Sequence, residues 1–199
     1  MGINLKTNLP KSYSELEQTL DSADLILSDA VANATTLFHT PVVSSINGKE
    51  VVSRVMVLRE FNLANKIMRF HTDHRAAKIK HFTENNNVSV IGYDPDLKIQ
   101  IKLQGKIRVH YEDEVTELAW KESNGRSKKC YSVKGGSTKK ILEPSEYDIQ
   151  DFEVEDGYKN FSVLIFTFHC LEFLHLKSSG HRRAIHEWDD NYSSSWLVP

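Results

Sequence analysis

The sequence has few cysteines, no long apolar run and almost no net charge, and each shortage excludes a class of protein. The only cysteines, Cys130 and Cys170, form no C-x-x-C pair, which argues against a disulfide framework or a zinc site and favours a reducing compartment. No apolar stretch approaches the ~20 residues that span a bilayer. With 25 basic and 27 acidic side chains, the chain also lacks the cationic excess expected of a nucleic-acid-binding protein.

The length and composition favour one folded domain over residues 1–199. An apolar content of 40% is enough to bury a full core. The polar start of the chain lacks a secretory apolar region, so we expect a cytoplasmic protein. Residues 1–33 predict an N-terminal helical segment, capped by Ser12 or Ser14, that packs on the rest of the fold. Residues 123–147 are rich in Gly, Ser and Lys and predict a flexible basic loop.

Alternating apolar residues predict strands through the middle of the chain. Asn47-Gly48 is a strong hairpin pattern and predicts that residues 37–46 and 50–60 pair as antiparallel neighbours. Further strands are expected at residues 66–72, at VSVIGYD and at LKIQIKLQGKIRVHY, where alternate side chains are apolar. The segment RAAKIKHFTENN predicts a short helix between them. The pattern indicates a mostly β protein with an antiparallel sheet.

Cationic and hydroxyl side chains lie at the ends of these strands. They are Arg54, Arg59, Thr72, Arg75 and Lys78. The helix is expected to begin at Arg75, and the first amides of a helix carry partial positive charge without internal partners. This combination predicts a site for a phosphate dianion.

Four motifs in order resemble one known family. They are R-x-x-V-L-R from Arg54, F-x-T-D-x-R-x-x-K from Phe70, Q-I-K-L-Q-G from Gln100, and CLEFLHLKSSGHRRAIHEW followed by WLVP. Together they resemble the pyridoxamine 5'-phosphate oxidase superfamily of FMN-binding split barrels, over residues 40–110 and 160–199. The resemblance implies an antiparallel β-barrel of six or seven strands with flanking helices.

The resemblance also implies FMN as the cofactor and assigns residues to its phosphate end. Arg54 and Lys78 would hold the phosphate group, with help from Thr72 and Arg75. His71 would lie beside the phosphate or the ribityl chain. We therefore expect these five side chains to share one site.

The remaining assignments concern the flavin ring and the substrate. The backbone amides of Val57 and Leu58 would meet the pyrimidine edge, and Gln100 would hydrogen-bond the ring. Arg183 would place a cation near the N1 and O2 edge, where it stabilises the anionic reduced ring, so it is a candidate catalytic residue. The resemblance implies substrate contacts for four residues: Arg59, Arg126, Ser127 and His181. Of these, Arg59 is also assigned to the cofactor and His181 to catalysis.

Departures from the family pattern favour FMN binding over vitamin B6 oxidation. Ala76 replaces a small hydroxyl residue, Leu174 replaces a tryptophan and Ser179 replaces an arginine. The preferred function is an FMN-dependent oxidoreductase of the pyridoxamine 5'-phosphate oxidase type, acting on a small substrate with or without a phosphate. One alternative is a flavin or stress-associated reductase with a nicotinamide donor. Another is a non-catalytic flavin or haem-binding module, with His169 or His175 as axial ligand.

In this family the flavin lies between two subunits, so the resemblance implies a homodimer with a small-molecule substrate and no nucleic-acid or membrane partner. The basic residues 121–140 are open to two interpretations, attraction of a phosphorylated substrate or a solvated loop. No metal is expected, because His71, His74 and His81 lack the i, i+4 spacing of a helical zinc site.

Overall fold

The computed structural model describes residues 5–148 and 154–199. In these ranges nine strands form one antiparallel sheet: β1 (Val42–Asn47), β2 (Glu50–Val55), β3 (Leu58–Asn62), β4 (Ile67–Asp73), β5 (Asn87–Asp94), β6 (Ile99–His110), β7 (Phe161–His175), β8 (Arg182–Glu187) and β9 (Ser193–Leu197). Five α-helices accompany it: α1 (Leu5–Asn8), α2 (Leu16–Ala32), α3 (Ala77–Glu84), α4 (Glu114–Glu122) and α5 (Gly125–Lys129). The predicted fold class, mostly β with flanking helices, is confirmed.

The order of the strands explains why the sheet is split. It runs β2-β1-β5-β6-β7-β4-β3, with β8 attached to β7 and β9 to β8. β7 is 15 residues long, and β6 pairs along one of its sides. On the other side β4 pairs with its first half and β8 with its second half. Because β4 and β8 share one side of β7, the sheet divides there.

The sheet has more strands than the six or seven expected. The segment predicted as one strand over residues 50–60 forms two, β2 and β3, which are separated by Met56 and Val57. The C-terminal residues add the β8–β9 hairpin. Within the described ranges β2 and β3 stand at opposite ends of the strand order, so the barrel is open rather than continuous.

The β1–β2 hairpin confirms the Asn-Gly prediction. Asn47 pairs with Glu50, which leaves Gly48 and Lys49 as the two-residue loop. Gly48 has a φ of +61°, a left-handed conformation that glycine adopts without a steric penalty. A short loop of fixed length sets the register of both strands, so it also fixes which side chains lie beside Arg54.

Helix α2 packs its apolar face against β3. Its buried residues include Ala23, Ile26, Leu27 and Ala30, which recur at the spacing of one helical face. The cap is not Ser12 or Ser14, as predicted, but Glu15, whose backbone N–H donates to the Gln18 side chain at 3.3 Å. Residues 1–4 of the predicted N-terminal segment lie outside the described residues.

The basic loop at residues 123–147 contains local structure. It includes α5 and a 3-10 helix at Pro144–Tyr147. Across the described part of the chain, no helix combines the length and the apolar character needed to cross a membrane.

Candidate functional site

Arg54, Thr72 and Lys78 form a cationic group that we call the Arg54–Lys78 cluster. They come from β2, from β4 and from the first turn of α3. The Arg54 guanidinium donates from Nη1 to the Ser45 hydroxyl at 2.8 Å and to the Val43 carbonyl at 3.2 Å. Lys78 Nζ donates to Thr72 Oγ1 at 3.2 Å. The structure therefore brings three of the five predicted phosphate residues together.

The two cations of this cluster are partly buried and repel each other, and they lack a carboxylate partner within the described residues. Burial lowers the pKa of Lys78, the nearby Arg54 cation lowers it further, and Asp73 opposes both. Burial also lowers the pKa of Arg54, whose guanidinium lies 5.4 Å from the Phe82 ring centroid. Within residues 5–148 and 154–199, neither cation pairs with a carboxylate. A dianion would compensate the positive charges of both side chains, so the cluster fits a phosphate group.

Arg75 has a different environment from the one expected. Its guanidinium donates to Asp73 from Nε at 3.0 Å and from Nη2 at 2.6 Å, and Nη2 also donates to the Val133 carbonyl at 3.0 Å. Arg75 thus ties the basic loop to the end of β4. Helix α3 begins at Ala77 with Ala76 as its N-cap, so the predicted start at Arg75 is wrong by two residues. Alanine offers no side-chain acceptor to cap the helix.

A second group of predicted residues lines a polar cavity of about 230 Å³, which we call the His71 cavity. Successive residues of a strand point to opposite faces. His71 therefore faces this cavity, whereas the next residue, Thr72, faces the Arg54–Lys78 cluster. The cavity lining includes Arg59, Arg69, His71, Glu122, Asn124 and Ser127. Two predicted substrate residues, Arg59 and Ser127, thus lie with His71 and apart from the Arg54–Lys78 cluster, so the five predicted phosphate-end residues do not share one site.

The charges in the His71 cavity are only partly compensated, because Arg69 is ion-paired whereas Arg59 forms no ion pair within the described residues. Arg69 forms ion pairs with Glu60 at 3.1 Å and with Glu122 at 3.2 Å. Burial, followed by repulsion from Arg69 and Arg59, lowers the pKa of His71 to about 3, so its imidazole is neutral at physiological pH. Within the described part of the chain, Nε of Arg59 and Nε2 of His71 are buried without a hydrogen-bond partner. These two atoms remain for a ligand.

Gln100 and Arg183 lie on the face of the sheet opposite to Arg54. The registers of β2, β1, β5 and β6 place Arg54 in one row with the buried Leu103. Gln100 is three residues from Leu103 along β6, an odd number, so its side chain points to the other face. There it pairs with Leu174, which pairs in turn with Arg183. Gln100 and Arg183 thus share one region, as expected.

The other predicted residues lie around these regions. Val57 lies between β2 and β3, and Leu58 begins β3 with a fully buried side chain. Arg126 is exposed on α5. His181 is exposed in the turn before β8, where its Nδ1 accepts a hydrogen bond from the Lys177 N–H at 3.0 Å.

The two candidate haem ligands differ in their surroundings. His169 is exposed on β7. His175 is half-buried, and its ring lies 5.2 Å from the Tyr13 ring in an edge-on contact. Burial and neighbouring cations lower the pKa of His175, and its Nδ1 is buried without a partner in the described ranges.

Three residues beside the predicted ones were missed by the sequence analysis. Ser45 follows from the hairpin register, because Val43 pairs with Arg54 and Ser45 lies two residues further on the same face. Glu172 and Lys102 pair in the β6–β7 register, and Glu172 binds Arg183. The long-range pairing of β6 with β7 has no local pattern, so the sequence did not indicate it.

An open antiparallel sheet divided at one long strand, with cations at its rim, defines the split-barrel class. Residues 24–111 match the family described as "Pyridoxamine 5'-phosphate oxidase, FMN-binding domain". No curated protein sequence matches this chain.

Solved structures match over most of the chain. A pyridoxamine 5'-phosphate oxidase-related, FMN-binding protein from Nostoc punctiforme PCC 73102 has a TM-score of 0.74 at 16% identity, and the match covers 94% of this chain and 100% of that one. PhzG from Burkholderia lata 383, in complex with tetrahydrophenazine-1-carboxylic acid, has a TM-score of 0.67 at 16% identity, with 92% and 90% covered.

A third solved structure is a protein from Clostridium acetobutylicum related to general stress protein 26 of Bacillus subtilis. Its TM-score is 0.54 at 12% identity, and the match covers 85% of this chain and 95% of that one. At such identities the three structures establish the fold alone. With the family match over residues 24–111, they confirm the predicted resemblance to the pyridoxamine 5'-phosphate oxidase-like split barrels.

Proposed function

We propose that this protein binds FMN and acts as an FMN-dependent oxidoreductase on a small substrate. The observation that carries the proposal is the Arg54–Lys78 cluster, in which two half-buried cations and the Thr72 hydroxyl have no carboxylate partner among the described residues. Such a cluster is matched by the phosphate of a mononucleotide. The family match, which describes an FMN-binding domain, supports the same cofactor.

The protein's own residues would bind and orient the cofactor. Arg54, Thr72 and Lys78 would hold the phosphate, and the backbone at Val57 and Leu58 would meet the pyrimidine edge. When bound, FMN supplies the hydride-accepting chemistry. A substrate beside the flavin would meet the side chains of the His71 cavity, where Arg59 Nε and His71 Nε2 are without partners in the described ranges.

We also propose that the protein is a homodimer with a flavin site between two subunits. Arg54 and Arg183 point to opposite faces of one sheet, so one chain would offer a single flavin only half of the predicted contacts. Strand β2 is an edge strand that pairs only with β1 among the described strands. It carries Val51 at 75% exposure and Val55 at 63%, and exposed apolar residues on an edge favour contact with another chain.

Binding of FMN is the first test. The purified protein should show flavin absorbance, and the double variant Arg54→Ala/Lys78→Ala should lose it while remaining folded. Lys80→Ala is the matched control, because Lys80 lies on the same helix but is exposed and paired with Glu84 at 3.6 Å. Full FMN occupancy in the double variant would refute the phosphate assignment.

Two further measurements address the dimer and the reaction. Sedimentation of the FMN-loaded protein should give a dimer, and Val51→Lys/Val55→Lys should shift it toward monomer. Peroxide release with pyridoxamine phosphate would identify an oxidase of the family type, whereas flavin bleaching by a nicotinamide donor alone would favour the reductase alternative. A protein that binds haem through His175 and no flavin would exclude both.

A further inference from the structure

A buried carboxylate holds the cation that the sequence assigns to the flavin. Glu172, on β7, is 8% exposed. Its Oε2 accepts hydrogen bonds from Arg183 Nε at 3.1 Å and from Arg183 Nη2 at 2.5 Å. Its other oxygen, Oε1, pairs with Lys102 Nζ of β6. The three residues form a triad across β6, β7 and β8, which we call the Glu172 triad.

The triad is on the outer face of the sheet, beside Gln100. Lys102 and Glu172 are direct cross-strand partners, and Lys102 is two residues from Gln100 on the same face of β6. Both hydrogen bonds to Glu172 use the Nε and Nη2 edge of Arg183. Within the described residues Nη1 of Arg183 has no hydrogen bond or ion pair, so it remains for another acceptor. Arg183 also lines an open cavity of about 610 Å³ with Trp196 and Pro199, so there is space beside the guanidinium.

The charges of the triad are arranged to keep the carboxylate ionised. Burial opposes the ionised form of Glu172, but the contacts with Lys102 and Arg183 outweigh it and lower the pKa of this carboxyl. One anion and two cations leave a net charge of about +1, with each carboxylate oxygen bound to one cation. Two N–H groups on one edge of the guanidinium donate to the same oxygen, which restricts the direction of a long and otherwise mobile arginine side chain.

We infer that Glu172 is a positioning residue: it holds Arg183 with one edge free for the flavin, and the charge of the Glu172 triad, rather than that of Arg183 alone, acts on the reduced ring. This inference rests on the proposed function, because Arg183 has a flavin to act on only if FMN binds. It differs from that function in naming a residue that itself touches neither cofactor nor substrate.

The inference predicts two separate effects on the midpoint potential of FMN, one from the charge of Glu172 and one from the position of Arg183. Glu172→Gln retains the length of the side chain and an oxygen that accepts from Arg183, but removes the negative charge. Glu172→Asp retains the charge but shortens the side chain by one methylene, so it cannot reach both cations. We expect Glu172→Gln to raise the midpoint potential of bound FMN and Glu172→Asp to lower it. A purely structural carboxylate would shift the potential in neither variant.

The experiment measures the midpoint potential and the FMN dissociation constant of the loaded protein. Arg183→Met should lower the potential, and Glu172→Asp should give a shift in the same direction and at least half as large. In the double variant Glu172→Asp/Arg183→Met the shift should equal that of Arg183→Met alone, because a positioning residue acts through its partner. Glu187→Asp is the matched control, since Glu187 is at the far end of β8 and pairs with Cys170 and Ser193.

Each outcome has one meaning. A wild-type potential in both Glu172 variants, with a shift in Arg183→Met, would overturn the inference and leave FMN binding intact. A shift in Glu172→Asp that persists undiminished in the Arg183→Met background would also overturn it. If Arg183→Met leaves the midpoint potential unchanged, Arg183 does not act on the flavin, and this result would also overturn the inference. If Glu172→Asp does not fold, a lowered potential in Glu172→Gln alone is sufficient to refute the inference. Wild-type protein that binds no FMN would instead refute the proposed function.

Discussion

The Arg54–Lys78 cluster and the His71 cavity begin one residue apart on β4 and differ in how far carboxylates compensate their cations. In the cluster, two half-buried cations have no carboxylate partner within the described ranges. In the cavity, Arg69 is paired with both Glu60 and Glu122, and His71 is neutral, so among the described residues only Arg59 is a cation without an ion pair there. Thr72 and His71 point to opposite faces of one strand, so neighbours in sequence belong to different sites. A local concentration of cations thus does not by itself define an anion site. Whether the cations can bind an anion depends on the carboxylates that the fold places beside them.

The largest expected difference between the two regions is in FMN affinity. Arg54→Ala should weaken FMN binding by about ten- to a hundredfold, because a hydrogen bond to a charged group contributes about 1.5–3 kcal/mol and 1.4 kcal/mol is tenfold. Arg69→Ala should leave FMN affinity unchanged. Fluorescence titration of both variants tests the contrast, and an equal loss in both would show that the two regions form one phosphate site.

The next largest expected effect is a loss of folding stability at acid pH, caused by His71. The pKa of His71 is lowered to about 3 from about 6.5, so the unfolded chain binds a proton in this window and the folded protein does not. Stability should therefore fall as the pH drops from about 6.5 toward 3, by at most about 1.4 kcal/mol per pH unit. Chemical denaturation of wild type and His71→Gln at pH 7 and pH 5 measures it. An unchanged pH dependence in His71→Gln would contradict the assignment.

The Arg54–Lys78 cluster should show its pH effect on the alkaline side. Lys78 must be protonated to bind a phosphate, and its pKa is lowered by burial and by Arg54. FMN affinity should therefore fall as the pH rises through this pKa, by up to about tenfold per unit. Lys78→Arg should extend binding to higher pH, since a guanidinium stays protonated. Parallel curves for the two proteins would show that Lys78 does not contact the phosphate.

The smallest expected effect is a gain in stability and in FMN affinity from a new cap at the start of α3. Ala76 is the N-cap and is 3% exposed. Ala76→Ser would supply a cap acceptor, which contributes about 1 kcal/mol, and a hydroxyl near the Arg54–Lys78 cluster. We expect a modest rise in melting temperature and FMN affinity up to a few-fold tighter. Ala77→Ser, one position inside the helix, is the control and should give neither gain.

Local patterns predicted β1, β4, β5 and β6 and the helices α2 and α3, but not the grouping of the site. The two-residue loop after Asn47 fixed the β1–β2 register, and with it the position of Arg54 beside Ser45. Arg75 was expected with the phosphate residues because a helix was predicted to begin there and because the family motif includes this arginine. The structure turns it to Asp73 and to the Val133 carbonyl, since the basic loop packs against the end of β4. That packing joins segments about sixty residues apart, and no local spacing encodes it.

The amino-acid sequence by itself determined the strands β1, β4, β5 and β6, the hairpin and the candidate phosphate residues, because these depend on side-chain periodicity and on turn geometry over a few residues. Only the tertiary structure decided which cations stay unpaired and which face each presents. Glu122 reaches Arg69 from α4, and Glu172 reaches Arg183 from β7. Ion pairs and burial act over a few ångströms in space, so they depend on contacts that only the folded chain makes.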